Sequence, residues 1–244
     1  MKKMSAYLSI LKKDMKNYYL KPPNLSWGII FPISWSLMFF LRSTSALDYR
    51  EILPGIMALS ILFGTTSMLA VTITFERKSR SFDRLLIAPI SLNLLMFAKT
   101  TGAILFGVVN AFVPVVLASF ISSLDGINWL LVFGGVLLIA ITSAFLGLAI
   151  AVSVSEVFEA QTFSNFFRFP MMFLCGLFIP ISTLPSLLWP LSYMLPLTYG
   201  VDILKAAINS DNHLNVFFCV AVLVVFAWLL FAISTSNIKK KWIR

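Results

Sequence analysis

Apolar residues recur along the chain in six long uncharged runs, approximately Leu25–Leu41, Ile52–Phe75, Thr100–Ile121, Trp129–Val152, Phe169–Leu191 and Leu214–Asn237. An α-helix rises about 1.5 Å per residue, so roughly 20 residues cross the hydrocarbon of a bilayer. The runs therefore predict an all-α polytopic protein with six transmembrane helices. The first is short, and the fifth is punctuated by Pro170, Pro180, Pro185 and Pro190, with Pro196 just beyond. Interior prolines remove backbone hydrogen bonds and clash with the preceding turn, which rules out one straight helix there. A fifth span that starts near Phe163 and ends near Pro180 leaves residues 181–208 to dip back as short re-entrant helices on the outer side. Backbone of that kind is tolerated at membrane depth where protein covers it or water reaches it.

Ahead of the first run, residues 3–21 follow a helical rhythm. Met4, Tyr7, Leu8, Leu11, Met15 and Tyr18 share one face, and Lys3, Lys12, Lys13 and Lys16 lie largely off it. The pattern predicts an amphipathic helix within residues 1–24, lying in the headgroup layer with its lysines on anionic lipid. Pro22-Pro23 ends it. An ordinary cytoplasmic helix is the other reading.

Composition sharpens the membrane assignment. Hydrophobic residues make up 59% of the chain, charged residues 12%, and mean hydropathy is +0.92. A soluble domain carries roughly 25% charged residues, so this chain has too little charge to cover a globule in water. The net charge of +9 does not point to nucleic acid, because the basic residues sit in short blocks between the runs. Sixteen of the nineteen Lys and Arg fall in residues 1–24, 76–99, 153–168 and the tail 239–244; Arg42, Arg50 and Lys205 fall in the opposite gaps. This asymmetry predicts both termini on the cytoplasmic side of a cell membrane, around a transmembrane domain of residues 25–238. Trp27, Trp129 and Trp189 near span ends suit interfacial belts. No cleavable signal peptide is expected.

Candidate chemistry is sparse. All ten acidic and all nineteen basic residues are expected outside the spans, and the single histidine, His213, at the outer edge of the last one. Ion-coupled transporters usually keep an acidic residue or histidine in the bilayer, and the chain carries no GxxxxGK[ST] phosphate cradle. Energy then comes from another subunit, or transport is passive. No nucleophile–base pair is expected in a shared pocket, so the chain is not read as an enzyme. Cys175 and Cys219 read as small core hydrophobes, with no metal-ligand spacing. No internal repeat of an inverted-topology transporter is visible.

The segment Glu76-Arg77-Lys78-Ser79-Arg80-Ser81-Phe82-Asp83-Arg84-Leu85-Leu86-Ile87-Ala88-Pro89 is charged in its first half and apolar in its second. It predicts a short helix parallel to the membrane, with Phe82, Leu85 and Leu86 on an exposed edge suited to a partner's groove. A solvated loop that serves topology alone is the alternative.

The same stretch, with Lys99 ten residues beyond Pro89, resembles the cytoplasmic loop of type-2 ABC transporter permeases, where a pattern E-R-E-x-G-T-x-E-x-L-x-x-S-P precedes the third span. Ser81-Phe82 is taken to stand for the usual Gly-Thr, and Lys205 stands where arginine is common. A second set is more specific: Arg168-Phe169-Pro170, Gly176-Leu177-Phe178-Ile179-Pro180, Leu184-Pro185, and Pro196-Leu197-Thr198-Tyr199 with Asp202. It is similar to the family's fifth span and outer re-entrant helices. The resemblance spans essentially the whole chain.

It implies two permease copies paired with two ABC ATPase subunits, which hold ATP and Mg while this chain binds no cofactor and no metal. The ATPase contact would use Glu76, Arg77, Arg80, Phe82, Asp83, Arg84, Leu85 and Pro89. Pro180, Pro185, Pro196 and Tyr199 would belong to an outer gate. The substrate path would run along the dimer interface, lined by the second and fifth spans, with Thr65, Thr66, Asn110, Phe173 and Phe178 as candidates; helix packing is the other role for the polar ones. With 23 Phe in the chain, an amphiphilic drug or lipid is the expected cargo. Glycan or glycolipid export, a secondary or passive transporter, and a membrane-embedded enzyme stand as alternatives.

Overall fold

The computed structural model describes residues 2–21, 30, 32–38, 49–121, 123–177, 179–211 and 214–242. Pro22-Pro23, Trp27, Arg42, Phe178, His213 and Arg244 lie outside them, as does most of the expected first span, of which residues 30 and 32–38 are helical. Among the described residues the fold is helical throughout, without strands. The helices are labelled α1 (Lys2–Asp14), α2 (Tyr49–Lys78), the short α3 (Ser81–Ile87), α4 (Leu92–Ile121), α5 (Trp129–Ser153) and α6 (Val157–Leu174). Two brief 3-10 turns follow, then α7 (Trp189–Met194), α8 (Pro196–Asn209) and α9 (Val216–Trp242).

Four of these helices are long and apolar enough to cross a membrane: Arg50–Lys78, Leu92–Phe120, Trp129–Ser153 and Val216–Trp242. They match the second, third, fourth and sixth predicted runs, with ends that differ from the runs by about two turns at most. The fifth run is not one helix. α6 begins at Val157, twelve residues before Phe169, and its 18 residues reach about 27 Å. Beyond Leu174 the chain breaks, and the prolines show why. Pro180 and Pro185 directly precede the two 3-10 turns, and Pro190 and Pro196 lie in the first turns of α7 and α8. There proline's missing N–H costs nothing and its fixed φ is already helical. The residues that interrupt a span thus start four short ones.

α2 and α5 form the centre of the bundle. Gly147 of α5 lies against the backbone of Thr66, where an added Cβ would meet the Thr66 carbonyl, and the Thr66 hydroxyl donates to the Ser143 carbonyl at 3.3 Å. Ser143 and Ala151, one turn either side, are also buried. Small residues at this spacing let two backbones approach closely, which is how helices associate where lipid removes the hydrophobic contrast. At one end α8 closes the bundle: Asp202 accepts the Leu214 N–H at 2.8 Å, and Lys205 donates to the Gly176 carbonyl at 2.6 Å. Gly176 sits at φ +71, a conformation that favours glycine.

Candidate functional site at the charged end of the bundle

The other end is organised by charge. Glu76 lies near the end of α2, Lys99 in the first turns of α4, and Asp14 at the end of α1; all three are buried. Lys99 Nζ donates to Asp14 at 3.0 Å and to the Glu76 carboxylate, and Lys13 Nζ donates to Glu76 Oε1 at 2.6 Å. Burial pushes the Asp14 carboxyl above its ordinary value; Lys99 opposes that rise and Glu76 adds to it. Two acids and Lys99 thus share one site away from water, with Lys13 reaching in from a half-exposed position. Such a site holds only while every partner is present, because removing one leaves a charge buried without compensation.

Local backbone geometry builds this cluster. After Asp14 the helix widens into a five-residue π stretch, Met15–Tyr19, with the Leu20 N–H donating to the Met15 carbonyl at 2.9 Å. A π turn brings residues five apart onto one side, so Asp14 and Tyr19 both face inward. The Tyr19 ring enters the core 5.7 Å from that of Phe106, beside Gly102, where a side chain would collide with it. The Tyr7 hydroxyl meets Thr101 at 2.6 Å. The predicted apolar face of α1 is therefore divided: Tyr7, Leu11 and Tyr18 pack inward with Ile10, and Met4 and Leu8 stay exposed.

From this anchored base the chain turns sharply into α3. The Ser79 and Ser81 hydroxyls both donate to the Glu76 carbonyl at 3.1 Å. Arg80 adopts φ +56, a left-handed conformation that costs a non-glycine residue about 1 kcal/mol or more. Counted from Glu76, the glycine of the E-R-E-x-G-T pattern falls on Arg80 and its threonine on Ser81. This corrects the expected pairing with Ser81-Phe82, and the backbone supplies the reason. Arg77 donates to the Val154 carbonyl at 3.1 Å and lies 4.8 Å from the centre of the Trp242 ring, and Lys78 pairs with Glu156. The end of α2, from which α3 turns, is thereby tied to the α5–α6 connection and to the end of α9.

Phe82 does not present the edge expected of it. It is fully buried, with its ring edge-on to Trp242 at 5.1 Å. The edge that remains open carries Asp83, Arg84, Ile87 and Pro89, with Leu85 half-buried; Ile87 is 84% exposed. The seven-residue helix has too little surface for Phe82 to serve both faces, and the inner one holds it.

The path candidates also divide. Thr65, Thr66 and Asn110 are buried within the chain. The Thr65 hydroxyl bonds back to the Ile61 carbonyl, and Asn110 packs on Gly64. These three join helices and reach no surface of the protomer, whereas Phe173 is exposed on α6. Of the gate candidates, Pro180 and Pro185 are exposed, Pro196 and Tyr199 are buried, and the Tyr199 hydroxyl donates to the Tyr193 carbonyl at 2.7 Å.

The expectation that every charge lies outside the spans fails for Glu76 and Lys99, which sit within helices able to cross a membrane, and a third charge is buried in α6. Arg168, counted from sequence among residues outside the spans, lies eleven residues into α6 and is 2% exposed. Glu76 and Lys99 likewise sit inside long helices, within two to three turns of their ends. The runs of uncharged residues hid all three, because the helices continue past the runs. Removing Arg168 from the block count leaves the direction of the charge asymmetry unchanged.

Comparison with known proteins agrees with this architecture. The family model for the ABC-2 type transporter matches residues 5–209. The chain is similar to the inner membrane transport permease YadH of Escherichia coli K12, 21% identical over 223 residues that cover 91% of this chain and 87% of that protein. The YadH protein of Shigella flexneri matches to the same extent. Nodulation protein J of Sinorhizobium fredii is 28% identical over a shorter stretch, 32% of this chain and 30% of that protein. With a family match over most of its length and four helices able to cross a bilayer, the chain belongs to the ABC-2 type transporter family and is a multi-pass membrane transport permease.

Proposed function

We propose that this chain is the membrane-spanning subunit of an ATP-driven exporter, working as two copies with two separate ABC ATPase subunits. One observation carries the reading: the buried Lys99–Glu76–Asp14 cluster holds the end of α2 on which α3 is hydrogen-bonded, while the Arg84, Leu85 and Ile87 edge of α3 stays open. A rigid, half-apolar projection between two long helices can pass a push from a docked ATPase into the bundle. Phe158, Phe163, Phe166, Phe169 and Phe173 leave an aromatic surface exposed on α6, which supports an amphiphilic drug-like or lipid-like cargo moved between two protomers. In this reading residues 32–38 belong to the first of six spans, α6 is the fifth, and residues 181–208 form the outer re-entrant cap.

Inside-out vesicles from cells that express the chain with its ATPase should accumulate a fluorescent amphiphile on ATP addition, and vanadate should abolish the uptake. Accumulation indifferent to ATP would leave only a passive pore. The charged end should face the cytoplasm. Cysteines placed at Asp125 and Asp211, in a background lacking Cys175 and Cys219, should react with an impermeant thiol reagent added outside intact cells. Reaction only after lysis at both positions would reverse the orientation.

A further inference from the structure

Arg168 is a buried cation with no carboxylate partner among the described residues. Its Nε donates to the Ser164 carbonyl at 3.2 Å, Nη1 to the Ser67 hydroxyl at 3.1 Å, and Nη2 to the Asn165 side chain; its guanidinium centre lies 4.3 Å from the centre of the Phe63 ring. Every acceptor is neutral, and among the described residues no acid forms an ion pair with it. A guanidinium has five N–H donors, so these bonds leave two without an acceptor. An unpaired charge inside a membrane protein is expensive and tends to mark a ligand pathway. Arg168 is nonetheless close to the surface: Phe63, Ser67 and Asn165 around it are half-exposed, and Gln161 and Phe169 on the same helix are exposed.

Depth narrows the ligand. Ser67 is eleven residues from Lys78 at the charged end of α2, about 16 Å along the helix. A lipid resting in its leaflet keeps its phosphate nearer the surface, so an anion at Arg168 is moving through the bilayer. We propose that Arg168 is a specificity-determining residue that binds the headgroup of an amphiphile carrying one oxyanion, with the hydrocarbon chain laid along the exposed phenylalanines of α6. The guanidinium suits this role because it stays charged when desolvated and offers its donors in a planar fork. This assignment deepens the exporter reading and rests on it.

The test uses the full chain in phosphatidylcholine nanodiscs, labelled with a photoreactive diazirine dodecanoate or with the corresponding neutral amide. The acid should label residues around Phe63, Ser67 and Asn165 at least about tenfold more than the amide. R168Q should remove that preference and leave amide labelling unchanged, and R168K should retain part of it. Displacement of the label by added phosphatidylglycerol assigns the oxyanion to a bilayer lipid, and no displacement assigns it to the free acid. Equal labelling by acid and amide in the wild type, or labelling by the acid that survives R168Q, overturns the proposal; both fit an arginine that only braces α2 against α6 or meets an acid of the second copy. Amide labelling and an unaltered melting profile show that each variant is folded. The exporter reading fails separately, through loss of ATP-driven accumulation by the wild-type pair.

Discussion

Lys99→Met should unseat the N-terminal helix and destabilise the chain by about 3–5 kcal/mol, the range measured when one member of a buried ion pair is removed. Lys99 is the fully buried cation of the cluster and hydrogen-bonds both Asp14 and Glu76, whereas Lys13, which also pairs with both, is partly exposed. Without it two carboxylates face each other out of water, with the partly exposed Lys13 left as their cation among the described residues. The midpoint of thermal unfolding in detergent should fall, and trypsin should reach Lys12 and Lys16 faster than in the wild type. Pairing the change with Glu76→Met removes one of the two stranded acids and should restore part of the loss. That recovery separates a charge effect from a packing effect, since the double variant removes more native contacts than the single one. A single variant that melts with the wild type would mean that the cluster is solvated and clamps nothing.

Much of the architecture was legible as pattern. Uncharged runs of about 20 residues located the four helices able to cross, since a bilayer demands that length, and the run of prolines located the broken segment after α6. Three features resisted. The charge cluster could not be read because Asp14, Glu76 and Lys99 are far apart in sequence and each looked like part of a solvated block. The π stretch at Met15–Tyr19 carries no residue signature, yet it turns Asp14 and Tyr19 inward. Phe82 has the helical spacing of a docking edge, but periodicity says that a face is apolar and not what covers it; here Trp242, far along the chain, does. Arg168 was placed outside the spans by the boundary of an apolar run, and only the start of α6 at Val157 shows it to lie within a helix.

Once Phe82 is assigned to the interior, the exporter proposal assigns the ATPase contact to Ile87 and Leu85, framed by Arg84. Truncating a well-buried anchor at a protein interface costs about 2 kcal/mol or more, roughly thirtyfold in affinity, and a buried acid costs more again. Ile87→Asp should therefore abolish co-purification of the ATPase and ATP-driven transport, while the chain inserts and melts normally because Ile87 touches little of its own protein. Leu85→Ala, half-buried at the start, should weaken association without eliminating it. Phe82→Ala should act differently, lowering stability through its contact with Trp242. If Phe82→Ala releases the ATPase from a fully stable chain and Ile87→Asp does not, the exposed edge is the wrong one.

Site-specific photocrosslinking in native membranes decides whether α3 is where this permease meets its ATPase. Benzoylphenylalanine placed at Ile87 should give a single adduct at the combined mass of this chain and an ABC ATPase, and the same probe at Met4, exposed on α1 at the same end, should give none with the ATPase. An Ile87 probe that forms adducts with lipid alone, in membranes where the ATPase is present and active, would contradict the account.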